Sequence, residues 1–186
     1  MQQNQWSPET FAKAWQFATI AHQGQLYGSQ HPELKIPYIN HIGSVTIEVV
    51  FALQNSSQNL NGTLAINCAL LHDVLEDTNF KFSDIENAFG IETANGVAAL
   101  TKNSLLTTEQ KMHDSLNRIK QQTNEIWMVK MADRICNLQP PPYNWDQQKI
   151  LKYKNESMLI LQHLKEGNHF LAQKLQSKIN IYGSII

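Results

Sequence analysis

The sequence has 186 residues, a length that suits one domain with a sizeable core. Hydrophobic residues make up 42% of the chain and charged residues 17%, which argues against an intrinsically disordered protein. The net charge of −1 gives no electrostatic reason to bind nucleic acid or an anionic membrane. No apolar run approaches the ~18 residues of a membrane span, and the first residues do not resemble a secretory signal. We therefore expect a cytoplasmic protein that acts without nucleic acid or a membrane.

Helical periodicity begins near the start of the chain. Ser7-Pro8 has the pattern of an N-cap followed by proline in the first helical turn, and predicts a first helix. A polar loop is predicted over residues 23–37, and a second helix over 40–54. Asn61-Gly62 predicts the start of a third helix, which runs through an apolar segment.

The second half of the chain has the same character. Ser83-Asp84-Ile85-Glu86 is interpreted as a capping box, with Gly90 ending that short helix. Cys68 and Cys136 lie in apolar helical segments, which predicts two buried free thiols rather than a disulfide. Further helices are predicted over residues 92–101, 108–121, 125–138 and 146–166, and one more after Gly167. The sequence thus predicts an all-α protein with a single domain over residues 1–186.

One stretch of the third helix, LLHDVLEDT, carries a concentration of reactive groups. His72, Asp73, Glu76 and Asp77 lie within six positions, and on a continuous helix their spacings bring them onto shared or adjoining faces. They follow an apolar run, so part of the cluster enters a buried region, where ionised carboxylates need partners. A bound cation is one partner that serves several acids at once. The alternative is a charged helix end with one core histidine, which is the better interpretation of an isolated His-Asp pair.

Two other segments favour the metal-site interpretation. His41 follows a proline-fixed turn in PYINH, at the start of an apolar helix. Asp133 lies inside the apolar helix WMVKMADRICNL, with Asn137 one turn later on the same face. Two imidazoles and two aspartates form a mixed nitrogen and oxygen ligand set, which suits Mn, Fe, Zn or a similar divalent ion.

These segments also resemble a known family. The order of His41, His72-Asp73 and Asp133 is that of the HD-domain metal-dependent phosphohydrolases. PYINH, LLHDVLEDT and VKMADRICNL resemble more closely the matching segments of the (p)ppGpp hydrolases, that is, the hydrolase domain of RelA/SpoT proteins and the stand-alone small alarmone hydrolases, which resemble metazoan Mesh proteins. The resemblance covers residues 10–165.

The resemblance implies a fold, a metal and an activity. The fold is a single-domain HD-type helical bundle, and the metal is Mn²⁺. The activity is metal-dependent removal of the 3′-pyrophosphate of (p)ppGpp, the alarmone of the stringent response, which gives GDP or GTP and pyrophosphate. No synthetase region follows, so the chain is expected to be a hydrolase alone.

The family's functional residues carry over to matching positions of this sequence. The implied metal ligands are His41, His72, Asp73 and Asp133. The implied water-activating pair is Glu76 and Asp77. The implied contacts to the nucleotide substrate are Asn137, Lys149, Tyr153 and Lys102. For the two lysines the alternative is an ordinary solvated side chain, and for the tyrosine it is packing.

One loop departs from the family pattern. Family members carry Arg or Lys before PYxxH, whereas this chain has Gln25 to Ser29 and then an insertion, Gln30 to Lys35, in which Lys35 can substitute. This difference motivates a second hypothesis, the same chemistry on another phosphorylated nucleotide such as an adenine analogue. A third hypothesis is a non-catalytic HD module that binds a metal or nucleotide as a regulator, against which the presence of both Glu76 and Asp77 argues. The remaining histidines are interpreted as surface or packing residues: His22, His31, His113, His163 and His169.

Overall fold

The first helix begins as the sequence predicts. The Ser7 hydroxyl accepts a hydrogen bond from the amide of Thr10 at 3.2 Å, and Pro8 occupies the first helical turn. In the same way, the Asn61 side chain accepts the amide of Leu64 at 3.0 Å and caps the third helix. The computed structural model describes residues 5–28, 34–142 and 144–182.

Helices dominate the described part of the chain. They are α1 (Pro8–Ala21), α2 (Ile39–Gln54), α3 (Gly62–Leu71), α4 (Val74–Asp77), α5 (Phe82–Phe89), α6 (Ile91–Leu100), α7 (Thr108–Lys120), α8 (Asn124–Asn137), α9 (Gln147–Leu164) and α10 (His169–Ile181). A 3₁₀ turn (Lys165–Gly167) joins the last two. The all-α class predicted from the sequence is confirmed, and the predicted helices match the observed ones to within a few residues at their ends, except that the third ends earlier than predicted.

Two helices form the centre of the bundle. All residues of α3 except Thr63 are buried, and this helix packs against α1, α2, α6 and α8. Helix α8 packs against α2, α3, α9 and α10. Because α2, α3 and α8 all meet one another, groups at their ends come close together although they are far apart in sequence.

The segment predicted as a polar loop contains a small hairpin. Strands β1 (Leu26–Gly28) and β2 (Lys35–Pro37) pair antiparallel, with Gly28 opposite Lys35. Each strand has three residues, which is too short for an alternating pattern to be visible in the sequence. Residues 29–33, which include His31 and most of the expected insertion, lie outside the described residues.

The expected capping box of α5 was placed wrongly. The N-cap is Lys81, and the Asp84 carboxylate accepts the amide of Lys81 at 2.7 Å. Ser83 therefore lies inside the first turn, since Asp84 is the residue close enough to bond back to the N-cap. Gly90 ends the helix as predicted, with a φ of 86° that favours glycine.

Both cysteines are free thiols, as predicted. Cys68 is fully buried, but Cys136 is half-buried, so the expectation of two buried thiols was correct for Cys68 alone. Within the described ranges, no helix has the length and apolar character needed to cross a bilayer.

Candidate active site

The LLHDVLEDT stretch is not one helix, and the sequence interpretation was wrong on this point. Helix α3 ends at Leu71, and α4 begins at Val74. Asp73, between them, has φ −103° and ψ 0°, in the bridge region where many active-site residues lie. The chain therefore turns at His72-Asp73, and the one-turn helix α4 brings Glu76 and Asp77 to the same cleft.

The four implied metal ligands converge in the structure. His41 comes from α2, His72 and Asp73 from the turn after α3, and Asp133 from α8. Ligand atoms of His41, His72 and Asp73 all lie within 4.8 Å of one another. Asp133 Oδ1 lies 3.5 Å from His41 Nε2. The arrangement is a group of two imidazoles and one carboxylate, with the carboxylate of Asp133 beside it.

The chemistry of His72 fits a metal ligand. Its Nδ1 donates a hydrogen bond to the carbonyl of Ala69 at 2.8 Å, because a carbonyl oxygen can accept only. In the neutral ring, Nε2 then carries the lone pair. This buried Nε2 lies 2.9 Å from Asp73 Oδ2 without a hydrogen bond of good geometry. A lone pair facing a carboxylate needs a cation or a proton between them, and a divalent cation meets that need.

Electrostatics keep the cluster ionised. Burial opposes ionisation of Asp73, but the positive charge of the adjacent His72 outweighs it and holds the pKa of Asp73 well below its usual range. Burial likewise lowers the pKa of His72, yet Asp73 and Asp133 raise it to about 9. The Tyr38 hydroxyl donates to Asp73 Oδ2 at 2.6 Å and supports the charged carboxylate further.

Asp133 has two partners on its own helix. Lys130 Nζ lies 3.1 Å from Asp133 Oδ2, and Asn137 Nδ2 donates to Oδ1 at 2.5 Å. Against the cost of burial, Lys130 and the two histidines of the cluster lower the pKa of Asp133 well below its usual range. Lys130 is 6% exposed, and the sequence analysis gave it no role. The sequence did contain a signal for this role, because a lysine inside an apolar helix, one turn before Asp133, needs an acidic partner.

Glu76 and Asp77 lie in different environments. Glu76 accepts two hydrogen bonds from Lys102, one from the amide at 3.0 Å and one from Nζ at 2.8 Å. Asp77 has a raised pKa because of burial and of the nearby Asp73 and Glu76 carboxylates, although a hydrogen bond from the Gln25 side chain opposes this shift. The pair implied to act on water is thus held by two separate donors.

The cleft that these groups share encloses about 150 Å³. Its lining residues are Tyr38, His72, Asp73, Glu76, Asp77, Leu100, Lys102, Lys130, Asp133 and Asn137. Nearly all of these are polar or charged. The cavity is smaller than the ~300–1,000 Å³ of typical small-molecule pockets. It therefore has room for a group the size of a phosphate, and a larger ligand such as the expected nucleotide must extend beyond it.

The four implied substrate contacts do not all lie in the cleft. Lys102 and Asn137 line the cleft, whereas Lys149 and Tyr153 do not. Lys149 is exposed on α9, with Nζ 4.4 Å from the ring centre of Trp145. Tyr153 packs beneath the Arg134 guanidinium at 4.1 Å.

Three further residues beside the cluster had no assigned role in the sequence analysis. Tyr38 was visible within PYINH, but its bond to Asp73 depends on tertiary packing. His22 was interpreted as a surface or packing residue; it is 4% exposed and bonds Gln25, which in turn bonds Asp77. These contacts join separate elements, so spacing along the chain does not reveal them.

Known proteins resemble this chain over nearly its whole length. The guanosine-3′,5′-bis(diphosphate) 3′-pyrophosphohydrolase MESH1 of Xenopus tropicalis is 29% identical over 167 residues, covering 88% of this chain and 89% of that protein. The enzyme of the same name from Danio rerio is 28% identical, covering 86% and 87%. A guanosine-3′,5′-bis(diphosphate) 3′-pyrophosphohydrolase of Spiroplasma citri is 31% identical over 70% of this chain, which corresponds to 17% of that longer protein. No protein-family model matches the chain.

Solved structures show the same fold. A metazoan ortholog of SpoT, described as hydrolyzing ppGpp, superposes with a TM-score of 0.80 and 23% identity, covering 96% of this chain and 98% of that one. The chain thus has the HD-type helical fold of that ortholog, with a cluster of His and Asp side chains that could hold a divalent metal. The resemblance to (p)ppGpp hydrolases found in the sequence is confirmed by the named relatives, and the chain is a homologue of the MESH1 proteins.

Proposed function

We propose that this protein is a divalent-metal-dependent pyrophosphohydrolase that removes the 3′-pyrophosphate of (p)ppGpp. One observation carries the proposal: His41 lies against His72, Asp73 and Asp133, and these last three line one cleft together with Glu76 and Asp77. The relatives that match over nearly their full length are named 3′-pyrophosphohydrolases of this nucleotide, which gives the substrate.

The metal-binding role is proposed for four residues: His41, His72, Asp73 and Asp133. We propose Mn²⁺ as the ion, because the mixed nitrogen and oxygen set suits it. When bound, a divalent ion polarises a phosphoryl oxygen and neutralises part of the substrate charge. The hydrogen bond from His72 to Ala69 fixes the ring with Nε2 directed at the cluster.

Glu76 and Asp77 are proposed to act on the attacking water. Glu76 takes a proton from the water as its oxygen bonds to the phosphorus attached to the 3′ oxygen, and Asp77 orients that water. The bond from phosphorus to the 3′ oxygen breaks, and Glu76 returns the proton to the departing oxygen. Lys102, 2.8 Å from Glu76, places a positive charge where negative charge develops on the phosphates.

The remaining substrate contacts follow from position. Asn137 lines the cleft and is proposed to contact the nucleotide. Lys149 and Tyr153, on α9, lie outside the small cleft, so they are proposed to contact the nucleoside where it extends beyond. We also propose that residues 1–186 act as one domain, and that the enzyme works in the cytoplasm on a free nucleotide.

A nucleotide panel tests the proposal. Metal-stripped protein is incubated with ppGpp, pppGpp and the adenine analogue of ppGpp, each with Mn²⁺, with Mg²⁺ or with a chelator. We expect pyrophosphate and GDP or GTP from the guanine compounds with Mn²⁺, separated by anion-exchange chromatography, and no product with chelator. If only the adenine compound is turned over, the assignment of a guanine nucleotide as the substrate is wrong. Binding of Mn²⁺ and ppGpp without any product identifies a regulatory module instead.

A further inference from the structure

The turn that follows α1 is fixed in position at both of its ends. Gly24 has a φ of 78°, a conformation that favours glycine. The amide of Gln25 donates to the carbonyl of His22 at 3.0 Å, and the carbonyl of Gln25 accepts the amide of Tyr38 at 2.9 Å. Since both backbone groups of Gln25 are bonded, its side chain starts from a defined place next to Tyr38, which lines the cleft.

The hydrogen bonds of the Gln25 side chain give its amide a direction. His22 Nδ1 lies 2.6 Å from Gln25 Oε1, and Asp77 accepts a hydrogen bond from the same side chain. A carbonyl oxygen only accepts and an ionised carboxylate only accepts. His22 Nδ1 is therefore the donor to Oε1, and the Gln25 amide nitrogen faces Asp77.

His22 is placed to fix that direction. It is 4% exposed, and its ring packs 5.1 Å from that of Tyr38. Its Nε2 is buried and has no hydrogen-bond partner among the described residues. An unpaired buried nitrogen lowers the stability of the folded protein. If the side chain only had to fill this space, an apolar residue would be more stabilising than histidine. The polar contact that the imidazole makes is the bond to Gln25.

Asp77 needs a hydrogen-bond donor that holds its side chain in place. The nearby carboxylates of Asp73 and Glu76 repel it, while the Gln25 amide and His22 attract it. Without the donor, repulsion favours rotation of the Asp77 side chain away from the other two acids. We propose that His22 and Gln25 are positioning residues, which hold Asp77 in the orientation it needs to place the attacking water. This inference rests on the proposed function for the role of Asp77.

Paired substitutions at the two positions test the inference. Gln25→Met removes the donor at similar size, and Gln25→Glu places a carboxylate against Asp77. His22→Leu removes the Nδ1 donor, whereas the side-chain amide of His22→Asn can keep a donor there. Gln23→Glu is the matched control, because Gln23 is exposed in the same turn.

We expect kcat for ppGpp to fall about 10–100-fold in Gln25→Met, Gln25→Glu and His22→Leu, by analogy with the effect of losing groups that orient metal ligands. KM, bound metal and Tm stay near wild type, and His22→Asn recovers most of the rate. Rates equal to the Gln23→Glu control, or no recovery in His22→Asn, overturn the inference. These results are read against an active wild type; a wild type that releases no pyrophosphate from ppGpp contradicts the proposed function instead.

A crystal structure of Gln25→Met gives a measurement that does not depend on turnover. We expect the Asp77 side chain to rotate away from Glu76 and the cleft in this variant, while Asp73 and His72 keep their places. An unchanged Asp77 rotamer overturns the inference whatever the substrate of the enzyme.

Discussion

At the scale of single residues, hydrogen-bond partners separate the acids of the cleft into different roles. Asp73 accepts the Tyr38 hydroxyl and lies against His72, an environment that keeps it ionised and available to a cation. Glu76 is paired with Lys102 at the exposed side of the cleft, where water has access. One carboxylate thus lies among the implied metal ligands, and the other lies beside a lysine, where it is placed for proton transfer.

The first prediction separates these roles. Asp73→Ala is expected to abolish both bound metal and turnover, because it removes a central ligand. Glu76→Ala is expected to keep the metal but to lower kcat about 100-fold or more, the usual effect of losing an acid-base group. Metal content by elemental analysis and rate by pyrophosphate release are the measurements. The exposed Glu86→Ala is the control, and loss of metal in Glu76→Ala shows that Glu76 is a ligand.

The second prediction concerns the support of Asp73. Tyr38→Phe keeps the ring but removes the hydroxyl that donates to Asp73 at 2.6 Å. Losing a hydrogen bond to a metal ligand weakens metal binding about 10-fold or more, so the variant should need more Mn²⁺ for half-maximal activity. Tyr27→Phe is the control, since that hydroxyl accepts from Asn40 rather than bonding an implied ligand. Equal Mn²⁺ requirements in the two variants contradict the prediction.

At the scale of elements, the sequence predicts what local patterns specify. Apolar periodicity and the Ser7 and Asn61 caps locate the helices, because those signals lie within each element. The break at His72-Asp73 was missed, because nothing in the local pattern distinguishes a turn from a continuous helix there. Family motifs identified the implied metal ligands, whereas the bond from Gln25 to Asp77 crosses between elements and required the fold.

The third prediction concerns the 3₁₀ turn that packs on α8. A Cβ added at Gly167 lies 2.7 Å from Cβ of Trp127, which cannot move without its backbone. Gly167→Ala is therefore expected to destabilise the protein by about 1–3 kcal/mol, the usual cost of overpacking. Thermal unfolding should show a lower Tm, by about 2–4 °C for each kcal/mol. Asn155→Ala, on the exposed side of α9, is the control and should leave Tm nearly unchanged.

At the scale of the whole molecule, stability is linked to the cluster through protons. The cluster lies where α2, α3 and α8 meet, and its carboxylates need positive charge, so in the absence of a cation some other charge must replace it. In metal-free protein that replacement is a proton on His72, whose pKa burial lowers but Asp73 and Asp133 raise to about 9. The folded value exceeds the unfolded value of about 6.5. This contribution to stability is therefore complete below pH 6.5 and is lost as the pH rises toward 9.

The fourth prediction follows from that linkage. The Tm of the metal-free protein should fall by at least about 3 °C as the pH rises from 6.5 to 9. Saturating Mn²⁺ should remove most of this dependence, because a ligand that binds the folded state stabilises it and needs His72 unprotonated. Differential scanning calorimetry across this range, with and without Mn²⁺, is the measurement. A His72→Gln variant is the control. If the Tm of the metal-free wild type depends on pH in the same way as that of this variant, the linkage to His72 is wrong.

Cys68 gives the protein an internal chemical reporter. The thiol lies in α3, one turn before His72, with no exposed surface and a contact to the carbonyl of Thr93. Burial and the charge of Glu125 raise its pKa, so a maleimide or disulfide reagent reacts with it only when α3 separates from α6. The time course of its alkylation thus counts opening events of the helix that leads into the cluster. Half-buried Cys136 supplies a reference signal from α8 in the same sample, without any introduced label.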